Sequence, residues 1–261
     1  MTALRETFNQ DAELYDRARP RYPPALVAEL ARVAGLGPDS RVLEIGPGTG
    51  QLTLPLAELG CRVTAVELGA AMAAVARRRL RDHPRVDVRV AEFESWPLPE
   101  EPFDLVVCAT AFHWIDPEVR MVKAARALRP GGRLALVLTE HVAGGTEEFF
   151  ARVQDCYERW DPATPPGLRP QPASEIPAGT AEPAGSPHFE GVTAARFTQD
   201  ITYSTDRYID VLLTYSNHRA LDEPARRGLL ACIRSLIDNG FAGSVTKRYL
   251  HELVVATRVA G

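Results

Sequence analysis

Apolar residues recur along the first 140 positions of the chain in two alternating patterns. Short, almost wholly apolar runs predict strands that are buried on both faces of a sheet. Between them, apolar residues return every three or four positions, as is typical of helices that pack on one side. The strands are predicted at Arg41–Ile45, Arg62–Glu67, Val86–Ala91, Phe103–Ala109 and Arg133–Leu138. The helices are predicted at 24–34, Gln51–Leu59, Ala70–Arg81 and Pro117–Leu128, after a leader, 1–22, that contains one short helix.

The pattern changes in the second half of the chain. The stretch from Asp161 to Pro187 is rich in Pro, Ala and Gly, and we expect a coil or a mobile loop that acts as a lid. Helices are predicted at Glu147–Arg159, Asp206–Tyr215 and Glu223–Asn239, and long strands at Phe189–Tyr203 and Ser244–Thr257. The whole pattern predicts an α/β fold: a seven-stranded, mostly parallel sheet with helices on both faces, an antiparallel C-terminal strand pair, and helical cap or lid insertions.

A glycine-rich turn follows the first predicted strand, where Gly46, Gly48 and Gly50 stand at alternate positions. Glycine allows a positive φ and a close approach of the main chain to a ligand. The helix that the turn opens presents free N–H groups to a carboxylate or a sugar oxygen. Glu67 ends the second strand 17 residues after Gly50. A carboxylate there can accept hydrogen bonds from both hydroxyls of an adenosine ribose.

Three other interpretations of this turn fit the residues less well. A dinucleotide fingerprint needs glycine at position 51, which is Gln51 here, and a P-loop needs a Gly-Lys-Ser/Thr sequence, which the chain lacks. A glycine turn that binds no ligand is the third alternative. The strand, the helix and the acidic residue that accompany the turn favour a nucleoside ligand over that alternative.

The spacing of the glycines, with Glu44 two residues before the first, resembles the first motif of class I S-adenosylmethionine (SAM) dependent methyltransferases, whose fold is Rossmann-like. The segment from Val63 to Met72 resembles their second motif, in which an acidic residue, here Glu67, holds the ribose. The resemblance implies that the apolar residues after it, Leu68 and Met72, line the adenine.

The segment from Val90 to Glu94 resembles the third motif, in which an acidic side chain meets the adenine amino group. The usual residue there is Asp, so Glu92 departs from the pattern and Glu94 competes for the role. The segment from Phe103 to Asp116 resembles the fourth motif. Its ending, Ala-Phe-His-Trp-Ile-Asp, is similar to the type 11 branch that includes trans-aconitate methyltransferase-like enzymes.

Two more segments are similar to this branch. The sequence Leu-Arg-Pro-Gly-Gly from Leu128 matches the turn before its fifth strand. Phe8, Tyr15, Arg19 and Tyr22 fall in a leader that, in this branch, folds over the cofactor.

The resemblance implies the residues of a SAM site: Tyr15, Glu44, Gly46, Pro47, Gly48, Gly50, Gln51, Glu67, Leu68, Met72, Glu92, Phe93, Ala109, Phe112 and His113. Candidate acceptor contacts are Arg19, Tyr22, Trp114, Trp160, Tyr215 and His218. Core packing is an open alternative for Tyr215, and a helix-end cap for His218.

We expect one domain over 1–261, which the resemblance divides into four parts. These are an N-terminal lid at 1–24, a SAM-binding core at 25–140, a cap helix with the Pro-rich loop at 141–188, and a C-terminal strand-helix-helix-strand unit at 189–261.

His113 is the candidate general base, because it follows the fourth strand at the sheet edge where open α/β folds bind ligands. The alternative is that it only contacts the cofactor or packs against Trp114. The histidines at 83, 141, 188 and 251 are too scattered to form a metal site and are expected on the surface, so no metal is predicted.

The net charge of −4 argues against a nucleic-acid partner, since phosphate binding needs a basic surface. Cys61 and Cys108 lie in apolar runs and are expected to be buried free thiols. The N-terminus lacks a signal-peptide pattern, and no run is long enough to span a membrane. We expect a cytoplasmic, bacterial monomer or homodimer without membrane association.

The predicted function is methyl transfer from SAM to a small molecule on O, N or C, for example in natural-product tailoring or on a carboxylate, with S-adenosylhomocysteine (SAH) as the product. Two alternatives stay open. One is a SAM-binding protein whose catalysis is lost or redirected, and the other is an RNA or protein methyltransferase.

Overall fold

A computed structural model describes residue 9 and residues 11–260 of the chain. Seven strands form one sheet in the order β3-β2-β1-β4-β5-β7-β6. The first five run parallel, and β7 pairs antiparallel with both β5 and β6. The strands are β1 (Arg41–Ile45), β2 (Arg62–Glu67), β3 (Val86–Val90), β4 (Phe103–Ala109), β5 (Leu128–Gly145), β6 (Phe189–Ser204) and β7 (Ser244–Arg258). The predicted sheet and its antiparallel C-terminal pair are confirmed.

Eleven α-helices of the described residues connect or cover these strands. Those of the N-terminal half are α1 (Ala12–Ala18), α2 (Pro24–Ala34), α3 (Thr53–Glu58), α4 (Ala70–Arg79) and α5 (Pro117–Ala127). The later ones are α6 (Glu147–Arg152), α7 (Gln154–Trp160), α8 (Ala181–Gly185), α9 (Thr205–Leu212), α10 (Ser216–Ala220) and α11 (Glu223–Gly240). No helix among the described residues is both long and apolar enough to cross a membrane.

Both faces of the sheet are buried, as the apolar strand pattern predicts. Val42 of β1 belongs to a core that Leu30 of α2 and Leu56 of α3 complete on one face. Its neighbour Leu43 belongs to the core on the other face, which includes Met121 of α5. Successive side chains of a strand point to opposite faces, so one short strand anchors both layers.

A third cluster lies beyond the sheet and forms the cap. It joins α1, α6, α9 and α11 around Phe149 and Ile233, which are fully buried. Cys156 of α7 and Cys232 of α11 form a disulfide within this cap across 76 positions. No local pattern in the sequence predicts this pair, whereas the prediction of buried free thiols at Cys61 and Cys108 is confirmed.

Several predicted boundaries were wrong. Helix α5 ends at Ala127, and Leu128 already begins β5. Pro130 restricts Arg129 to extended conformations, so the helix could not have continued past Leu128. The predicted cap helix divides into α6 and α7. The Pro-rich stretch contains a 3₁₀ turn at Ala173–Glu175 as well as α8. The predictions for residues 1–8, residue 10 and Gly261, including Phe8, lie outside the described residues.

Candidate functional site

The carboxyl ends of β1, β2 and β4 meet at one edge of the sheet. Strand β1 lies between β2 and β4. The strands that follow β1 in the chain, β2 and β3, lie on one side of it, and β4 and the later strands lie on the other. Connections diverge at such a point, so a crevice opens at the carboxyl end of β1. Gly46 follows β1, Glu67 ends β2 and Thr110 follows β4. The topology therefore brings the residues that the sequence singled out to one crevice.

The glycine turn needs its glycines for conformation and for space. Gly46 and Gly48 have φ values of +66° and +61°, which side chains rarely adopt. A Cβ at Gly46 would lie 2.7 Å from the Cβ of Ala111. A Cβ at Gly48 would point between Met72 and Tyr15, where a ligand could otherwise lie against bare main chain.

Glu67 holds the turn in place. Its Oε2 accepts a hydrogen bond from the Gly48 amide at 2.9 Å, and its Oε1 accepts one from the Gly69 amide at 2.8 Å. The residue is only 9% exposed. Burial raises the pKa of the Glu67 carboxyl, and the hydrogen bonds from Gly69 and Gly48 oppose that rise.

Glu44 is a second buried carboxyl group on the same crevice. It is 1% exposed and lines the cavity, and its Oε2 accepts no hydrogen bond within the described part of the chain. Burial raises the pKa of Glu44 to about 7, the adjacent Thr53 hydroxyl opposes the rise, and the nearby Glu67 adds to it. An unpaired buried acceptor is costly unless a ligand pairs with it.

The N-terminal segment closes over the turn. The Oδ1 of Asn9 accepts a hydrogen bond from the amide of Ala71 at 2.7 Å, in the first turn of α4. The Oδ1 of Asp16 accepts one from the Thr49 hydroxyl at 2.9 Å and another from Arg79 at 3.1 Å. Tyr15 thereby lies against the glycine turn, on the wall of the cavity.

These groups line one cavity of about 1010 Å³. Small-molecule pockets range from roughly 300 to 1,000 Å³, so there is room for a cofactor and a second molecule. The predicted site residues on its wall are Tyr15, Arg19, Tyr22, Glu44, Gly46, Pro47, Gly48, Gln51, Glu67, Leu68, Met72, Glu92, Phe93, Ala109, His113, Trp114 and Tyr215. Glu94 also lines it, so the choice between Glu92 and Glu94 stays open.

Two residues predicted for the cofactor do not reach the cavity. Gly50 faces Leu80 and Ala76, so its positive φ serves the packing of the turn on α4. The ring of Phe112 is buried in the core under β4, with the Arg120 guanidinium over its face.

Two predicted acceptor contacts also lie off the cavity wall. Trp160 packs in the cap, where a Cβ at Gly228 would lie 2.4 Å from its ring. His218 is buried and shares a 3.0 Å hydrogen bond with the Tyr157 hydroxyl. Burial lowers the pKa of His218 to about 4, and the positive charge of Lys247 adds to the effect. Both residues support the cap.

His113 lies on the cavity wall in the 3₁₀ turn Phe112–Trp114. Its ring centroid is 4.7 Å from that of Trp114. The His113 ring therefore packs against Trp114 and also faces the cavity. Burial lowers the pKa of His113, and the charge of Arg120 lowers it further. The imidazole is therefore neutral at neutral pH and able to accept a proton.

The expectation of surface histidines was wrong at two positions. His251 is buried on β7, and its ring shares hydrogen bonds with Thr139 and Gln199. His141 lines the cavity, and burial, with the charge of Lys247 as a lesser cause, lowers its pKa to about 3. His141 belongs to the part of β5 beyond the predicted strand end at Leu138, and His251 pairs with Thr139 of the same part.

Lys247, Tyr249 and Asn9 also line the cavity, and none of them was predicted from the sequence. A signal for the first two was present. Lys247, Tyr249 and His251 alternate along β7, so these three polar side chains share one face of the strand. The other central positions of that face are apolar: Val245, Leu253 and Val255. No comparable pattern marked Asn9.

Comparisons with known proteins show which family this part of the chain is similar to. Residues 43–136 match a family described as a methyltransferase domain. They include β1, the glycine turn, β2 to β4 and the start of β5. This match assigns residues 43–136 to a methyltransferase domain.

An uncharacterized methyltransferase of Mycobacterium tuberculosis is 40% identical to this chain over 131 residues, which are 50% of this chain and 51% of the relative. The chain thus spans about half the length of the curated relatives it matches. A candidate type II methyltransferase from Anaeromyxobacter dehalogenans, whose structure is solved, is 27% identical in sequence to this chain. The structural match covers 92% of this chain and 97% of that protein, with a TM-score of 0.62.

The fold of the methyltransferase domain also occurs in a protein with another activity. The 4+2 cyclase SpnF is 19% identical to this chain. The structural match covers 94% of this chain and 84% of the cyclase, with a TM-score of 0.51. This likeness concerns the fold alone. The comparisons thus support the methyltransferase family, and membership of the trans-aconitate branch stays a prediction.

Proposed function

We propose that the protein transfers a methyl group from SAM to a small-molecule acceptor by in-line displacement. The observation that carries the proposal is the contact of Glu67 with Gly48 and Gly69 at the rim of the cavity. Each carboxylate oxygen can accept more than one hydrogen bond. Glu67 therefore fixes the turn and still has lone pairs for the two hydroxyls of a ribose.

The residues around Glu67 suit the remaining parts of SAM. Leu68 and Met72 offer an apolar wall for the adenine, with Glu92 and Glu94 at the end of β3 as candidates for its amino group. Glu44 presents a buried oxygen that lacks a donor among the described residues, and the ammonium group of a methionyl moiety would supply one.

The cofactor would supply a methyl group that its sulfonium has already activated. The chain then needs to bring the acceptor atom into line at near-contact distance and to exclude water. The rings of Tyr15, Tyr22 and Trp114 line the cavity and serve the second purpose. Where the acceptor is a hydroxyl or an acidic carbon, we propose that His113 accepts its proton, whereas a carboxylate acceptor needs no base.

Enclosure favours a small acceptor over RNA or protein. The leader contributes Tyr15, Arg19 and Tyr22 to the cavity wall, and the cap contributes Tyr215 and Asn217. The chain's own segments thus form part of the wall around the space that the acceptor would enter. A macromolecule would have to fit the group that it offers between these segments before one of its atoms reached the transferred methyl group.

A second candidate is a SAM-binding protein whose reaction has been redirected. This second candidate is retained because the same fold occurs in a 4+2 cyclase, and a fold alone does not determine the reaction. The two candidates share the cofactor site and differ in whether SAH is produced.

Two measurements test the proposal in sequence. Isothermal titration calorimetry with SAH is expected to give binding to one site per chain, and absence of binding would contradict both candidates. Mass spectrometry would then follow SAH formation from SAM with a panel of hydroxyl, amine and carboxylate acceptors. Acceptor-dependent SAH formation supports methyl transfer, and tight binding without turnover on any acceptor favours the redirected protein.

A further inference from the structure

The end of the cavity away from Glu67 contains two positive charges, and we call it the cationic end: Arg19, Tyr215, Lys247 and Tyr249. Strand β7 lies four strand spacings from β2, roughly 19 Å across the sheet. The Nζ of Lys247 donates a 2.9 Å hydrogen bond to the Tyr215 hydroxyl and lies 5.0 Å from the ring centroids of Tyr215 and Tyr249. The Arg19 guanidinium also lies over the Tyr215 ring, with its Cζ 4.5 Å from the ring centroid.

These charges have no carboxylate partner among the described residues. Lys247 is only 5% exposed, and its side-chain hydrogen bond goes to the hydroxyl of Tyr215. Burial raises the pKa of that hydroxyl, but the charges of Lys247 and Arg19 outweigh burial and lower the pKa to about 8, so the hydroxyl is mostly protonated at pH 7. Arg19 donates to the main-chain oxygen of Thr214, and its buried Nε has no partner in the described part of the chain. Glu140 also lines the cavity, but burial is the cause that raises its pKa, without a contribution from a cation.

The neighbouring cations of the same strand pair are matched. Arg248 pairs with Asp200 at 2.6 Å, and Arg196 pairs with the buried Glu252 at 2.8 Å. Unlike these two arginines, Lys247 and Arg19 have no carboxylate partner among the described residues. A buried charge without a counter-charge is expensive, so a site of this kind is expected to receive its counter-charge from a ligand.

SAM would not neutralise this end. Its sulfonium and ammonium groups outnumber its single carboxylate, so a bound cofactor adds one positive charge to the cavity. Even if Arg19 paired with the cofactor carboxylate, Lys247 would remain without a counter-charge. His141 offers a further polar atom here, because its Nε2 is buried and has no hydrogen-bond partner among the described residues.

We propose that the acceptor carries an anionic group, a carboxylate or a phosphate, that binds to Lys247 at the cationic end of the cavity, with His141 and Arg19 in reach as further donors. This inference rests on the proposed function and adds the class of its substrate. An ammonium group flanked by aromatic rings provides both the charge and flat apolar walls for the rest of such an acceptor.

Binding of matched probes to the full-length protein tests this inference. The protein is first saturated with SAH, and calorimetry then compares benzoate with benzamide, and phenyl phosphate with phenol, at constant ionic strength. These probes suit the aromatic wall and differ in charge within each pair. Each anion is expected to bind about tenfold or more tightly than its neutral partner, as for a charged hydrogen bond. The anion that binds with the higher affinity shows whether a carboxylate or a phosphate is the preferred group.

Three variants locate the effect. Lys247→Met should remove the preference for anions, Lys247→Arg should retain it, and Arg248→Met, which removes an exposed cation from the next position of β7, should leave it unchanged. Thermal unfolding of each variant verifies that it folds. SAH binding without any preference for the anions would overturn this inference and leave the proposed function intact, whereas loss of SAH binding by the parent protein would count against the proposed function itself.

One alternative source of negative charge lies within the protein. An ionised Tyr215 would act as the counter-charge of Lys247 in place of a ligand. In that case the parent protein would show no preference for anions and Tyr215→Phe would acquire one. That pattern would also overturn the inference. A preference in both proteins supports it.

Discussion

The carboxylate of Glu67 and the amide of Gly48 form a 2.9 Å hydrogen bond that joins the second strand to the glycine turn after the first. One buried acid thereby fixes the main chain of the turn and faces the cavity beside it. The two requirements of the proposed nucleoside site, bare main chain and a carboxylate, are met by a single contact.

Replacing Glu67 by Gln should weaken SAH binding by about 1–3 kcal/mol, because a charged acceptor is lost from both the turn and the ribose. Calorimetry measures the change. The exposed Glu118, on the first turn of α5, provides the matched control, and Glu118→Gln should bind SAH like the parent protein. Equal affinities for all three proteins would show that the ribose lies elsewhere.

Gly48→Val should abolish SAH binding, because its side chain would occupy the space between the turn, Met72 and Tyr15. The variant also carries the strain of a side chain at positive φ, roughly 1 kcal/mol or more. Gly167→Val separates the two effects, since Gly167 has a φ of +68° and a Cβ placed there would have no atom within 4 Å. It should lose comparable stability in thermal unfolding and keep its affinity for SAH. Retained binding by Gly48→Val would disprove the steric argument.

Asp16→Asn should loosen the leader, because Asp16 accepts hydrogen bonds from Thr49 and Arg79 at part-buried positions. We expect SAH affinity to fall by about 0.5–1.5 kcal/mol and cleavage of the leader by protease to become faster. Glu13→Gln removes a more exposed ion pair of the same helix, to Arg78, and should have little effect on either measurement. Equal behaviour of the two variants would argue against closure through Asp16.

Glu44 should make the free protein less stable as the pH rises. Its folded-state pKa of about 7 lies above the unfolded value of about 4.3, so between these values the folded state holds a proton that the unfolded state has released. Stability contributed by the protonated form is present at low pH and is lost as the pH rises through this window, by about 4 kcal/mol in all. Glu44→Gln should lack this loss in urea titrations between about pH 5 and pH 8. An unchanged pH dependence would mean that Glu44 is not neutral in the folded state.

Reduction of the disulfide between Cys156 and Cys232 should destabilise the cap. The bond closes a loop of 76 positions, for which the chain-entropy model gives about 4 kcal/mol. Thiol titration of the denatured protein should find two free thiols, from Cys61 and Cys108, and four after reduction. Four thiols before reduction would contradict the bond. The double variant with Ser at both positions should match the reduced protein in urea titrations.

The cofactor end of the site could be predicted because its determinants are local. Gly46, Gly48 and Glu67 follow strands directly, and the carboxyl ends of neighbouring parallel strands meet at one edge whatever the rest of the chain does. The acceptor end could not be predicted in the same way. Tyr215, Lys247 and His141 come from segments far apart in the chain, and Trp160 and His218 were wrongly expected on the cavity wall.

The sequence by itself determined the alternation of strands and helices, the glycine turn and its acidic partner, because each depends on spacing within one or two elements. Only the tertiary structure decided that β7 lies between β5 and β6, that Cys156 meets Cys232, and that Lys247 faces the cavity without a carboxylate beside it among the described residues. The physical reason is that partners at long sequence separation are selected by packing of the whole chain, and no local pattern of residues encodes which of them will meet.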